Sequence, residues 1–260
     1  MSDVFESQPH LCPIPRQRVI EKMDWYMSRR DYAGAERHLL YWLEEARLGG
    51  DLRGALMLLG ELVGHYRKTG QRDKALENGE AALALVERLE FGETISAATT
   101  FVNFATALNA FGENERALAL FGRARPIYES SAAIRPELLG GLYNNMALAC
   151  AALGRYDEAE ALYGKAMAAM AGAPHGALEQ AITTLNLADL VAARDGMEAG
   201  EGEIYALADR AVALLDDPAL DHDGYYAFVC EKCAPTLAYY GYFYDARRLK
   251  EEAERIYAGA

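Results

Sequence analysis

Residues 143–167 read YNNMALACAALGRYDEAEALYGKAM, and this stretch decides the architecture. It is rich in strong helix formers and is broken once, at Gly154. A glycine there supplies the left-handed turn on which a helix ends. Beyond it, Ala159, Tyr163 and Ala166 fall at i, i+4 and i+7, on one helical face. The two alanines let helices approach closely and the tyrosine fills the space between them, as ridge-and-groove packing requires.

The same punctuation recurs outward from this stretch. Gly70 stands five residues before Ala75, Gly112 five before Ala117 and Gly154 five before Ala159, each glycine 42 residues after the last. Another step of 42 reaches Gly196, and Gly241 stands five before Ala246. A step backwards reaches Ser28, five before Ala33. Six such units make an internal repeat, each unit a pair of helices. First helices are predicted near residues 15–27, 53–69, 94–111, 136–153, 176–194 and 223–240. Second helices are predicted near 31–48, 72–90, 114–130, 156–171, 202–215 and 243–258. Pro136, Pro174 and Pro218 fall between units, whereas Pro126 and Pro235 fall inside helices and are expected to kink them. The expected fold is all-α, a right-handed α-solenoid of about six antiparallel helical hairpins. It occupies residues 15–260 as a single repeat domain after an N-terminal tail, 1–14.

ALGRYDEAEALYGKAM resembles the second half of a tetratricopeptide repeat. The longer stretch beginning LYNNMALACA is similar to the extended repeats of kinesin light chains. The resemblance runs over roughly residues 15–260 and is strongest around Gly112 and Gly154. It departs from the pattern after Gly196, where RDGMEAGEGEIYALADRA carries an insertion. It implies a concave groove lined by first helices and a protein or peptide as partner.

Asparagines stand at matching places in three first helices. Asn103 lies nine before Gly112, Asn145 nine before Gly154 and Asn186 ten before Gly196. A side-chain amide offers donors and an acceptor that match a peptide backbone. Such a ladder would hold an extended peptide on the floor of the groove; the alternative is that each amide bonds the neighbouring helix and sets repeat spacing. Asn144 fits either role. The candidate peptide-binding residues are therefore Asn103, Asn145, Asn186 and Asn144 with Thr99 and Thr106, flanked by Glu61, Lys68 and Lys232. Relatives that clamp C-terminal carboxylates pair two asparagines with bases. The helices of Asn103 and Asn145 carry no base on this stripe, so a carboxylate clamp is not expected.

Hydrophobic residues make up 52% of the 260-residue chain, and its net charge is −13. Residues 151–260 hold 19 acids against 9 bases, a surface that repels phosphate backbones and argues against nucleic acid. No secretory leader and no long uncharged apolar run is visible, so no membrane association is expected. Cys12, Cys150, Cys230 and Cys233 are too few for a disulfide framework at this length and fit a reducing cytoplasm. The lone pair in CEKC lacks a second pair for zinc and reads as inert. In DDPALDHDG (216–224) the calcium-loop frame is missing, and Asp221 or Asp223 reads as a helix N-cap. YYGYFY (239–244), with Tyr225, Tyr226 and Phe228, reads as core; the alternative is a patch for a partner or a second copy, which leaves a homodimer open. No phosphate loop, metal-ligand motif or nucleophile elbow appears, so no enzyme, cofactor or metal is expected. The function expected is a cytoplasmic, non-enzymatic adaptor that binds a peptide or protein. The alternative is a peptide-sensing regulator acting through protein–protein contacts, since about 14 residues before the first repeat are too few for a DNA reader.

Overall fold

The computed structural model describes residues 12–259; most of the tail assigned to residues 1–14 lies outside them. The described residues contain no strand and form twelve helices. These are α1 (Arg16–Ser28), α2 (Tyr32–Leu48), α3 (Leu52–Lys68), α4 (Arg72–Arg88), α5 (Ile95–Ala110) and α6 (Asn114–Ser130), then α7 (Pro136–Ala152), α8 (Tyr156–Met170), α9 (Gly176–Asp195), α10 (Glu201–Leu215), α11 (Gly224–Tyr239) and α12 (Phe243–Tyr257). Helix boundaries fall within two residues of those the glycine period predicts. The chain divides into two compact units, one ending at Ile127 and one beginning at Tyr128.

In the first unit α1 packs on α2 and α3 on α4, with α3 also against α2 and α5. In the second unit α7 pairs with α8, α9 with α10 and α11 with α12, while α9 also contacts α8, α11 and α7. Each unit is thus a run of helical hairpins stacked on their neighbours, the arrangement of an α-solenoid.

The turns explain the period. After α3 the N–H of Gln71 donates to the carbonyl of Tyr66 (2.8 Å) and that of Gly70 to Arg67 (3.3 Å), with Gly70 at φ 71°. This is a Schellman ending, which needs a left-handed residue in the second-last place. The same pair of bonds closes α5 through Gly112, α7 through Gly154 and α11 through Gly241. Gly196 departs from it: its N–H bonds the carbonyl of Ala192, and residues 197–200 intervene before α10.

The first hairpin corrects the register read from sequence. Its left-handed residue is Arg30 (φ 54°), and the buried alanine five residues on is Ala35; Ala33, paired with Ser28 by the 42-residue step, is exposed. Arginine in the slot hid the signal. Glu90 (φ 54°) fills the corresponding slot after α4. Because a side chain in this conformation is strained, Glu90→Gly is expected to raise stability by about 0.5–1 kcal/mol, read as a higher urea midpoint at unchanged slope.

The core follows the small–aromatic–small pattern. Ala117, Phe121 and Ala124 of α6 are fully buried, as are Ala159, Tyr163 and Ala166 of α8. In α4 the middle place is Gly79, and its ring comes from Phe104 of α5: a Cβ on Gly79 would lie 2.2 Å from that ring. Helices α6 and α11 run continuously through Pro126 and Pro235. Asp223 caps α11, accepting from the N–H groups of Tyr225 (2.8 Å) and Tyr226 (3.0 Å).

The aromatic cluster is divided rather than wholly core. Tyr226 and Tyr240 are buried, while Tyr239, Phe243 and Tyr244 are 70%, 71% and 70% exposed. Cys150, Cys230 and Cys233 are buried and free. Burial pushes the thiols of Cys230 and Cys233 up to about 11 and about 12, so neither is a thiolate at neutral pH.

Candidate functional site

A concavity in the first unit lies between α3 and α5. Its upper edge is set by the N-cap of α3. Asp51, 3% exposed, accepts from the N–H of Gly54 (2.8 Å), the N–H of Ile14 (3.1 Å) and the guanidinium of Arg16 (2.9 Å). Burial alone would push this carboxyl up, but the two N–H donors and Arg16 outweigh it and hold it below the usual aspartate range. The bonds pin residues 14–16 across the start of α3 and bring Arg16 to the cleft.

Helix α5 is capped by Thr94, whose hydroxyl accepts from the N–H of Ala97 (3.2 Å), and Phe91 stands in the preceding turn. Gly60 on α3 and small hydroxyl residues on α5 leave the space between the helices open. The resulting cleft has a volume of about 580 Å³. Arg16 and Arg53 line one region of it; Leu56, Met57 and Phe91 give it apolar surface; Ser96, Thr99 and Thr100 supply the α5 side; and Gly60, Glu61 and Asn103 complete it.

Two charged residues here lack counter-charges among the described residues. Arg53 is exposed, lies with its guanidinium 4.9 Å from the Phe91 ring centre, and pairs with no carboxylate among the described residues. Glu61 is half-buried and makes no ion pair among them; burial, with a smaller push from the Asp24 carboxylate, raises its carboxyl above the usual glutamate range. Asn103 is exposed, engages no other side chain among the described residues, and has its amide nitrogen 3.5 Å from the place a Gly60 Cβ would take.

Of the residues picked from sequence, Asn103, Thr99 and Glu61 come together in this cleft. Thr106 lies further along α5 and is not part of its lining; its hydroxyl donates to the carbonyl of Val102 (2.8 Å). Lys68 is also elsewhere, at the end of α3 with its ammonium 5.7 Å from the Tyr32 ring centre.

In the second unit, Asn144 bridges two helices. Its amide oxygen accepts from Asn186 (3.1 Å) and from the hydroxyl of Thr183 (3.2 Å), so the Asn144–Asn186 pair ties α7 to α9. Asn145 is half-buried beside it. Asn186 and Lys232 line a small cavity of about 70 Å³ with Ile182, Leu185, Cys233 and Thr236. Nearby, Glu179 accepts from the Tyr225 hydroxyl, and burial raises its carboxyl against the opposing charge of Lys232.

Arg53, Arg16 and Phe91 were not picked from sequence. The signal for Arg53 was there: the stripe through Glu61, continued two turns towards the N-terminus by way of Met57, reaches it. Arg16 had none, since its place depends on the buried Asp51.

Residues 54–130, which include most of both cleft helices, match the family model described as Tetratricopeptide repeat. This segment of the chain is similar to tetratricopeptide repeats. A crystal structure of a Podosopora anserina putative kinesin light chain with nearly identical tetratricopeptide-like repeats is 21% identical and superposes with a TM-score of 0.52, over 78% of this chain and 95% of that one. A Rap protein crystallised with Competence and Sporulation Factor is 14% identical, with a TM-score of 0.53 over 93% of this chain and 74% of that one. These likenesses show a shared tetratricopeptide-repeat fold. A search of curated proteins returns no match. No helix among the described residues is long and apolar enough to cross a membrane, and no group of three or more His, Cys, Asp or Glu among them is placed to hold a metal ion.

Proposed function

We propose that the chain is a non-enzymatic tetratricopeptide-repeat adaptor that holds an extended peptide of a partner protein on its first-helix face, with the α3–α5 cleft as the principal site. The observation that carries this reading is Asn103: an exposed amide, not engaged by another side chain, beside a cleft of about 580 Å³ whose walls offer apolar and charged surface. That volume lies in the range of small-ligand sites. Asn144 and Asn186, which bond each other, fit the spacer role better. A net charge of −13 supports a protein partner over nucleic acid, and four free cysteines support a reducing cytoplasm. A peptide-sensing regulator would use the same cleft and differ only in the response that binding triggers.

The test uses a random heptapeptide pool retained on the immobilised full chain. Asn103→Ala is expected to weaken retained peptides by up to about tenfold, the net worth of one neutral hydrogen bond, with the melting temperature unchanged. Gly60→Leu is expected to abolish retention. A Cβ there meets only ordinary contact, so the longer side chain fills the cleft while helix propensity improves. Retention unaffected by both substitutions would overturn the assignment.

A further inference from the structure

Charge along this cleft runs in one direction. Arg53 and Arg16 stand towards the start of α3, and Arg53 carries no counter-charge among the described residues. Eight residues on stands Glu61, whose environment includes the Asp24 carboxylate of α1. Eight residues of helix correspond to about 12 Å along the axis. Phe91 stands against Arg53, and Leu56 and Met57 follow along α3 before Glu61. An extended chain advances about 3.3 Å per residue, so three to four residues span the distance. A basic group beside Glu61 would supply the counter-charge that its buried setting lacks, and an acidic group beside Arg53 would meet a guanidinium already oriented on Phe91.

Resting on the reading of the cleft as a peptide site, we propose that it selects a dipolar segment three to four residues long, with its acidic group at Arg53 and its basic group at Glu61. Selection then reflects the order of charges along the bound segment as well as its apolar content. Neutral segments of equal length would fill the same space and lose the charge-assisted contacts at both ends.

The test compares three end-capped tetrapeptide libraries on the full-length chain: Asp-Xaa-Xaa-Lys, Lys-Xaa-Xaa-Asp and Asn-Xaa-Xaa-Gln. Retention is quantified by mass spectrometry. At least one dipolar library is expected to be favoured over the neutral one by about tenfold or more. Arg53→Gln and Glu61→Gln should each weaken the preference for the dipolar library over the neutral one, and the two together should abolish it. Exchanging the charges, Arg53→Glu with Glu61→Lys, should favour the opposite order of acid and base. Equal retention of neutral and dipolar libraries, still abolished by Gly60→Leu, overturns the dipolar selection and leaves the peptide site standing. Retention of no library overturns both.

Discussion

Replacing Asp51 with alanine is expected to destabilise the first unit by about 2–4 kcal/mol, a fall of roughly 5–15 °C in melting temperature. One carboxylate serves three donors: the cap N–H of Gly54, the backbone N–H of Ile14 and the guanidinium of Arg16. Truncation removes the N-cap of α3 and leaves a buried N–H without its partner. The effect should be pH-dependent. Because the folded-state carboxyl is held below the usual aspartate range, its contribution is present above that range and is lost as pH falls through the lowered value. Asp51→Asn, which keeps an acceptor but no charge, should flatten that part of the acid-unfolding curve. Binding should suffer as well, since Arg16 would lose its anchor at the cleft edge.

The second large effect lies at Gly79. Leucine there collides with the Phe104 ring, because even a Cβ would lie within 2.2 Å of it. Gly79→Leu is expected to cost about 3 kcal/mol despite the better helix propensity of leucine. Phe104→Ala, which empties the same space, should cost about 3–5 kcal/mol. The double substitution places leucine in the space the ring vacates. It should be less destabilising than the sum of the two by about 1–3 kcal/mol in urea unfolding. Strict additivity would mean that the two residues do not share one packing site.

This pair shows what was legible in the sequence. The period was read from Gly70, Gly112 and Gly154 because a Schellman ending needs a left-handed residue and glycine adopts that conformation without strain. Where another residue takes the strain, at Arg30, the signal vanished and the first hairpin was set out of register. The aromatic of the repeat was equally legible at Phe121 and Tyr163. At Gly79 it comes from the neighbouring helix, a substitution across space that no spacing along one helix records.

The site was legible in part for a similar reason. Thr99 and Asn103 share a stripe of α5 with a 3.6-residue period, Glu61 stands one 42-residue step before Asn103 on α3, and the three came together in one cleft. Equal spacing did not give the asparagines equal environments. Asn103 faces open space above Gly60, whereas Asn186 is bonded to Asn144, because the side chain opposite differs. The contribution of Arg16 depends on a long-range cap, Asp51 holding residues 14–16, and periodicity carries no information about such contacts. The exposed ring of Phe243 and the buried ring of Tyr240 stand three residues apart in one aromatic run, so composition alone could not divide them.

The most direct measurement of the central claim is backbone and side-chain amide resonance mapping of the isotopically labelled full chain, titrated with heptapeptides retained from the random pool. Shifts are expected at Arg53, Gly60, Glu61, Ser96 and Thr99 and at the side-chain amide of Asn103, with Asn144 and Asn186 unmoved. Shifts confined to the second unit, around Asn144, Asn186 and Lys232, or to the second helices α4 and α6, would contradict the assignment of the α3–α5 cleft as the peptide site.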